Sequence, residues 1–144
     1  MTNVAGKVEL QPNVIITLFD ADGNVKEQRI ANTVTSAGKA GAADQILAAP
    51  TLAKPTHMAI GTGTPTGTAL QTEVRRNALV SKDRTGAVVT MLANFIAGEG
   101  TGALTEAGIF DASSAGNMWV SASFSVVNKA AGDSLQISWA LTYA

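Results

Sequence analysis

The chain has 144 residues, ten Lys or Arg against eleven Asp or Glu, one His and no Cys, for a formal net charge of -1. The absence of cysteine excludes disulfides, thiolate catalysis and cysteine-ligated metals, and the balanced charge without a basic block argues against nucleic acid or an anionic membrane as partner. Hydrophobic residues make up 46% of the chain and charged residues only 15%, against roughly 25% in a typical soluble domain, which predicts a surface covered in part by other protein.

That expectation is an assembly component, with a homo-oligomer (dimer or trimer) as its simplest symmetric form. The length suits a single domain over residues 1–144. No apolar run approaches the roughly 18–20 residues of a spanning helix, and the start "MTNVAGKVELQPN" lacks the basic-then-apolar order of a signal peptide, so the reading is of a soluble protein made in a cytoplasm.

In chain order, "VIITLFDADGNVKEQRI" has an apolar β-branched run, a turn cluster from Asp20 to Asn24, and a polar-alternating run, the pattern of a β-hairpin. "DADGN" spaces Asp20, Asp22 and Asn24 as a calcium loop does, but Gly23 stands at the fourth position rather than the sixth, and the twelfth position holds Ala31 rather than a bidentate Glu. Turn chemistry is the simpler reading, and no metal ligand set is assigned.

From Ser36 to Ala49 the alanine-rich stretch predicts a short amphipathic helix, with Ala43, Ile46 and Leu47 on its apolar side and Pro50 as the stop. Gly38 and Gly41 weaken its first turn, because glycine costs about 1 kcal/mol against alanine in a helix. A short strand, "HMAI", then leads into the loop "GTGTPTGTA". Its glycines resemble a phosphate cradle, but no Lys-Ser/Thr follows and no nucleotide or other cofactor is assigned. His57, the single histidine, reads as structural.

"VRRNALVSK" and "GAVVTMLANFIAG" read as two strands about a turn from Asp83 to Gly86. In the second, Val89, Met91, Ala93, Phe95 and Ala97 share one face, while Val88, Leu92 and Ile96 make the other apolar too, predicting cover on both faces. Further on, Met118, Val120, Ala122, Phe124 and Val126 alternate with Trp119 and serines, and Leu135, Ile137, Trp139 and Leu141 alternate with polar residues. With "NKAAGD" between them, these last strands read as a meander with the strand before them. About nine strands and one short helix predict a mainly β protein, a jelly-roll-like antiparallel β-sandwich with the helix at one end or edge.

Glu99, Glu106 and Asp111 could supply a glycosidase carboxylate pair, but Glu106 and Asp111 have opposite parity and should point to opposite faces. No nucleophile, base and orienting group can be nominated together, so no catalytic residue is assigned and an enzyme is the weakest class. Arg75 and Arg76, the one basic doublet, should also face opposite ways, one of them pairing with Glu73 or a neighbouring subunit. Trp119, on a serine-lined strand face, reads either as the lid of a small apolar cluster or as an interface anchor.

Three segments in this order, "MAIGTGTPTGTALQTEVRR", "LTEAGIFDASSAGNMWVSASFS" and "VVNKAAGDSLQISWALT", resemble small virion structural proteins of tailed bacteriophages. The resemblance covers about residues 56–142 and extends weakly to "NTVTSAGKAGAADQIL". It implies a location in the virion, with assembly in the host cytoplasm and no catalytic residue to carry over. One form is a cement or decoration protein on the capsid exterior, with the major capsid protein as partner; the other is an adaptor of the neck, tail or tail fibre. Candidate partner contacts are the loop residues Gly61, Thr62, Gly63, Thr64, Pro65 and Thr66, reaching towards a neighbouring subunit, together with Arg75, Arg76 and Trp119. A reading of another class makes the chain a carbohydrate-binding module of the virion; of Trp119 and Trp139 as sugar platforms, Trp139 shares the apolar parity of its strand and reads as core, which leaves Trp119.

Overall fold

The computed structural model describes residues 10–31 and 35–143. Nine strands and one helix follow one another as β1 (Leu10–Phe19), β2 (Val25–Ala31), α1 (Ser36–Asp44), β3 (His57–Gly61), β4 (Glu73–Ala78), β5 (Ser81–Thr85), β6 (Val88–Phe95), β7 (Gly102–Phe110), β8 (Met118–Lys129) and β9 (Ser134–Tyr143). They form two antiparallel sheets, ordered β2-β1-β9-β6-β5 and β4-β3-β7-β8. The fold is a β-sandwich, as the alternation of the strands predicts.

The chain proceeds by hairpins. β1-β2, β3-β4, β5-β6 and β7-β8 each stay within one sheet, and each connection between hairpins crosses to the other. The first turn shows why its residues were needed: the Asp20 carboxylate accepts the Asp22 and Asn24 amides at 2.9 Å each, and Gly23 takes φ 86°, a region glycine enters at little cost. The first acid of "DADGN" thus serves the turn.

Between the sheets, Val14, Ile16 and Leu18 of β1, Met91, Ala93 and Phe95 of β6, and Leu135, Ile137, Trp139 and Leu141 of β9 meet Met58, Ile60, Leu104, Ala107, Ile109 and Val120. Fully burying each of the large side chains stabilises the fold by about 1.5–3 kcal/mol. Trp139 is a core residue, with its indole nitrogen buried and unpartnered.

Five expectations need correction. β9 does not continue a meander after β8; it crosses to lie between β1 and β6. The crossing begins at the turn Ala130–Asp133, where the Asp133 carboxylate accepts the Ala130 amide and the Lys26 ammonium of β2, both at 2.9 Å. A short polar turn serves either topology, so only the burial of β9 in the central position decides.

"VRRNALVSK" is two strands in different sheets, broken at Leu79 and Val80. Leu79 packs against the core while Val80 is 61% exposed, and β5 runs on to Thr85, leaving Gly86 (φ 57°) as the turn. Asp83 is tolerated within β5 because this is an edge strand. For the same hairpin, β6 is not covered on both faces: Val88 and Leu92 are half-buried, Ile96 is 61% exposed, and Ala97 is exposed.

The alternation of β8 breaks where β7 pairs Leu104 with Val127 but Glu106 with Ser123. Across this irregularity both strands change the parity they turn inwards, from Leu104 to Ala107 and Ile109 on β7 and from Val120 and Ala122 to Val127 on β8, so Val127 is buried and Val126 is 42% exposed. α1, finally, ends at Asp44 rather than Ala49, and its buried side is Gly38, Gly41, Ala42 and Asp44. Ile46 and Leu47 lie beyond it, exposed.

Candidate functional site

The outer face of the four-stranded sheet is closed by the chain itself. β3 and β7 pair Gly61 with Glu106, and the residues after Gly61 fold back over that point. Glu106 is fully buried: one carboxylate oxygen accepts the Gly63 and Thr72 amides at 2.7 and 2.9 Å, and the other accepts the Gln71 amide at 2.7 Å. A carboxylate holding several backbone amides offsets its own desolvation and removes three orphan donors.

The glycines of "GTGTPTG" follow from that closure. A Cβ on Gly61 would stand 2.3 Å from the Thr72 carbonyl oxygen and 2.7 Å from Glu106 Oε2, and one on Gly63 would stand 2.9 Å from the same carboxylate oxygen. Thr105 Oγ1 donates to the Gly63 carbonyl at 2.6 Å and the Thr64 amide to the Gln71 side chain at 2.8 Å. Leu70 joins Ala59, Phe110 and Met118 in a second apolar cluster on this face. The segment Gly61 to Thr66 is therefore a folded flap bolted to Glu106, whereas the sequence suggested an arm reaching outwards.

Arg76 extends the same closure. Its guanidinium lies 3.7 Å from the centre of the Phe110 ring, forks onto Glu73 at 2.6 and 2.9 Å, and donates to the Ala112 and Ala115 carbonyls at 3.0 and 2.8 Å. Of the doublet, Arg76 is thus the residue that pairs with Glu73. Asp111 fastens the same β7-β8 turn by accepting the Asn117 amide at 2.7 Å and its side-chain amide at 3.0 Å. Arg75 points the other way, to Asn77 and Glu99. Glu99 also accepts the Ile96 amide, and that hydrogen bond, ahead of Asn77 and Arg75, holds its carboxyl below the usual range.

Trp119 is 5% exposed, covered by α1. A Cβ on Gly38 would lie 1.9 Å from the Trp119 carbonyl oxygen, and one on Gly41 would lie 2.2 Å from the indole ring. The glycines that disfavour the helix by propensity are the ones that let it dock. Thr35 completes the join, capping the Gly38 amide at 3.0 Å with its hydroxyl within reach of the Met118 and Trp119 carbonyls. Trp119 is thus a covered residue and not a free anchor or sugar platform.

The end beside α1 is built otherwise. Buried Asp44 accepts the Thr51 and Leu52 amides at 3.3 and 3.0 Å, fixing a loop whose residues 46–53, "ILAAPTLA", are all exposed and uncharged. Ile46 is 87%, Leu47 58% and Leu52 44% exposed. Next to it opens a cleft of about 260 Å³ with Val89, Met91, Trp119 and Leu141 among its lining, and Lys54, Lys82 and Arg84 around it. Lys82 donates to the Pro55 carbonyl at 2.7 Å, and burial, with Lys54 close by, pushes its ammonium below the usual lysine range. Gln45 also lines the cleft, with its amide nitrogen buried and unpartnered.

Elsewhere, ionisable groups serve the frame. The Asp133 carboxyl is held below its usual range by the Lys26 ammonium and the Ala130 amide, and Lys26 is raised in return. Lys129, 2% exposed, donates to the Ile96 carbonyl, and burial lowers its pKa. His57 meets Thr56 Oγ1 at 2.8 Å. Among the described residues, no group of three or more His, Asp or Glu is placed to hold a metal ion.

Glu106 was legible only as an ambiguous acid; the nearby pattern Gly-x-Gly, matched to a strand bearing a lone carboxylate, was the signal available. The cleft had no signal, since its lining comes from five separate stretches. No family model, curated protein or solved structure matches the chain.

Proposed function

We propose that the chain is a structural protein of a tailed-phage virion, a cement or decoration protein that binds the capsid exterior and stabilises contacts between major capsid protein subunits. The reading rests on the resemblance of residues 56–142, and one structural observation carries the binding role. Eight consecutive exposed residues, Ile46 to Ala53, bear no charge and are held in place by the buried Asp44. Rigid exposed apolar surface is costly in water and favours burial against another protein.

The remaining chemistry supports binding over turnover. Glu106, Asp111 and Glu99 each accept backbone amides that fix a loop or turn. As cement, many copies each adding modest buried area at a seam between capsomers would resist internal pressure together. The carbohydrate-binding alternative loses its platforms, because Trp119 lies under α1 and Trp139 in the core.

Quantitative mass spectrometry of purified virions against the major capsid protein tests the proposal. Hundreds of copies per particle are expected for a protein occupying a capsid lattice; about three to eighteen would instead assign it to the symmetric neck or tail, and absence would overturn the virion reading.

A further inference from the structure

The cleft beside α1 concentrates chemistry that the fold leaves unused. Lys82 and Arg84 pair in register with Met91 and Val89, and all four line the cleft. Asp83, between them, also lines the cleft, although strand alternation directs its side chain to the opposite face of β5. Lys54 adds a third cation. The bonds these groups make, Lys82 to the Pro55 carbonyl and Arg84 to the Gly86 carbonyl, leave further N–H donors on each side chain.

Charges on an edge strand can serve only to discourage pairing. That role does not call for an apolar floor of Val89, Met91 and Leu141 beneath them, nor for a lining glutamine with an unpartnered amide. At about 260 Å³ the space is smaller than the roughly 300–1,000 Å³ of pockets for drug-sized ligands. Its size suits a single apolar side chain delivered by a longer chain.

We propose that this cleft docks an extended acidic segment of a partner protein, one apolar side chain entering over Met91 and Leu141 and its carboxylates meeting Lys54, Lys82 and Arg84. The exposed loop Ile46–Ala53, continuous with the lining residues Gln45 and Lys54, forms the apolar rim of the contact. An incoming carboxylate stabilises the cation that burial disfavours on Lys82. The inference rests on the chain being a binding protein and holds wherever in the virion, or outside it, that partner lies.

The test uses the isotope-labelled full chain and three N-acetylated pentapeptides of alternating sequence: Asp with Leu, Asn with Leu, and Lys with Leu. The acidic peptide is expected to move the Trp119 indole signal and the Lys82, Arg84 and Val89 amides while leaving Trp139 still. The Asn and Lys versions should bind at least roughly tenfold more weakly, and raised salt should weaken the acidic one.

Lys82→Glu with Arg84→Glu, both at exposed positions, should abolish the response without moving the unfolding midpoint. No shift at Trp119 with the acidic peptide at about 1 mM, or equal binding of the acidic and Asn peptides, overturns the proposal. Decanoate producing the same shifts at lower concentration than the acidic peptide also overturns it, by making the cleft a site for a small amphiphile. These outcomes are read on the isolated chain, so they are independent of copy number in a particle.

Discussion

Two regions of this molecule use the same residue types to opposite ends. Over the four-stranded sheet, Glu106, Arg76 and Asp111 are saturated by carbonyls, amides and Glu73, and the flap from Gly61 to Thr72 is drawn down onto them. At the α1 end, Asp44 likewise spends its carboxylate on backbone amides, but the loop it fixes presents Ile46, Leu47 and Leu52 outwards beside a cationic cleft. Internal saturation closes a surface in the first case and displays one in the second. What separates them is the side chains left over once the backbone is satisfied.

Breaking the closed region should have the largest effect. Glu106→Ala leaves three part-buried backbone amides without their acceptor, which should cost about 3 kcal/mol, read as a lower urea midpoint together with faster hydrogen exchange at Gly63, Gln71 and Thr72. An unchanged midpoint would mean the flap is held by Leu70 and its neighbours alone.

Next comes the seam between the two regions. Gly41→Val puts methyl groups into the Trp119 ring and should cost about 1–3 kcal/mol, with the Trp119 fluorescence moving towards that of an exposed indole as α1 lifts. A smaller effect follows from charge. Asp133 and Glu99 are depressed in the folded chain, so the stability they contribute is present above the ordinary carboxylate range near pH 4 and is lost as pH falls through their lower folded values. A thermal unfolding series from pH 6 to pH 2 should show that fall, and Asp133→Asn should flatten part of it.

The open region should be nearly silent in the same assays. Ile46→Ser with Leu47→Ser should change stability by no more than about 0.5 kcal/mol, since both side chains are exposed, while reducing attachment to particles in a sedimentation assay. A large loss of stability would show that these residues hold the fold instead of serving a partner.

The difference between the regions also explains what could be read from the chain beforehand. β9 and the inner half of β6 were legible because each buries every second residue against one core, so period alone decides, and β1 was legible from its β-branched run and the turn that follows it. β4 and β5 were not, because a strand that changes sheets at Leu79 and Val80 carries no break in its alternation. Gly38 and Gly41 misled in the same way: propensity counts the cost to an isolated helix and omits a tryptophan that only glycine can approach.

The site divides along the same line. The flap residues stood out in the sequence as one segment, but their direction depends on Glu106, forty-three residues from Gly63 and brought to it by the β3-β7 register. The cleft depends on side chains from β5, β6, β8, β9 and the loop after α1, a juxtaposition that no local pattern encodes.

The most direct test of the account is hydroxyl-radical footprinting of the protein free and bound to purified particles. Protection concentrated on residues 45–55 and 82–84, with the flap at 62–72 unchanged, is the predicted result. Protection of the flap with residues 45–55 and 82–84 still open would contradict it and make the closed face the one that meets the partner.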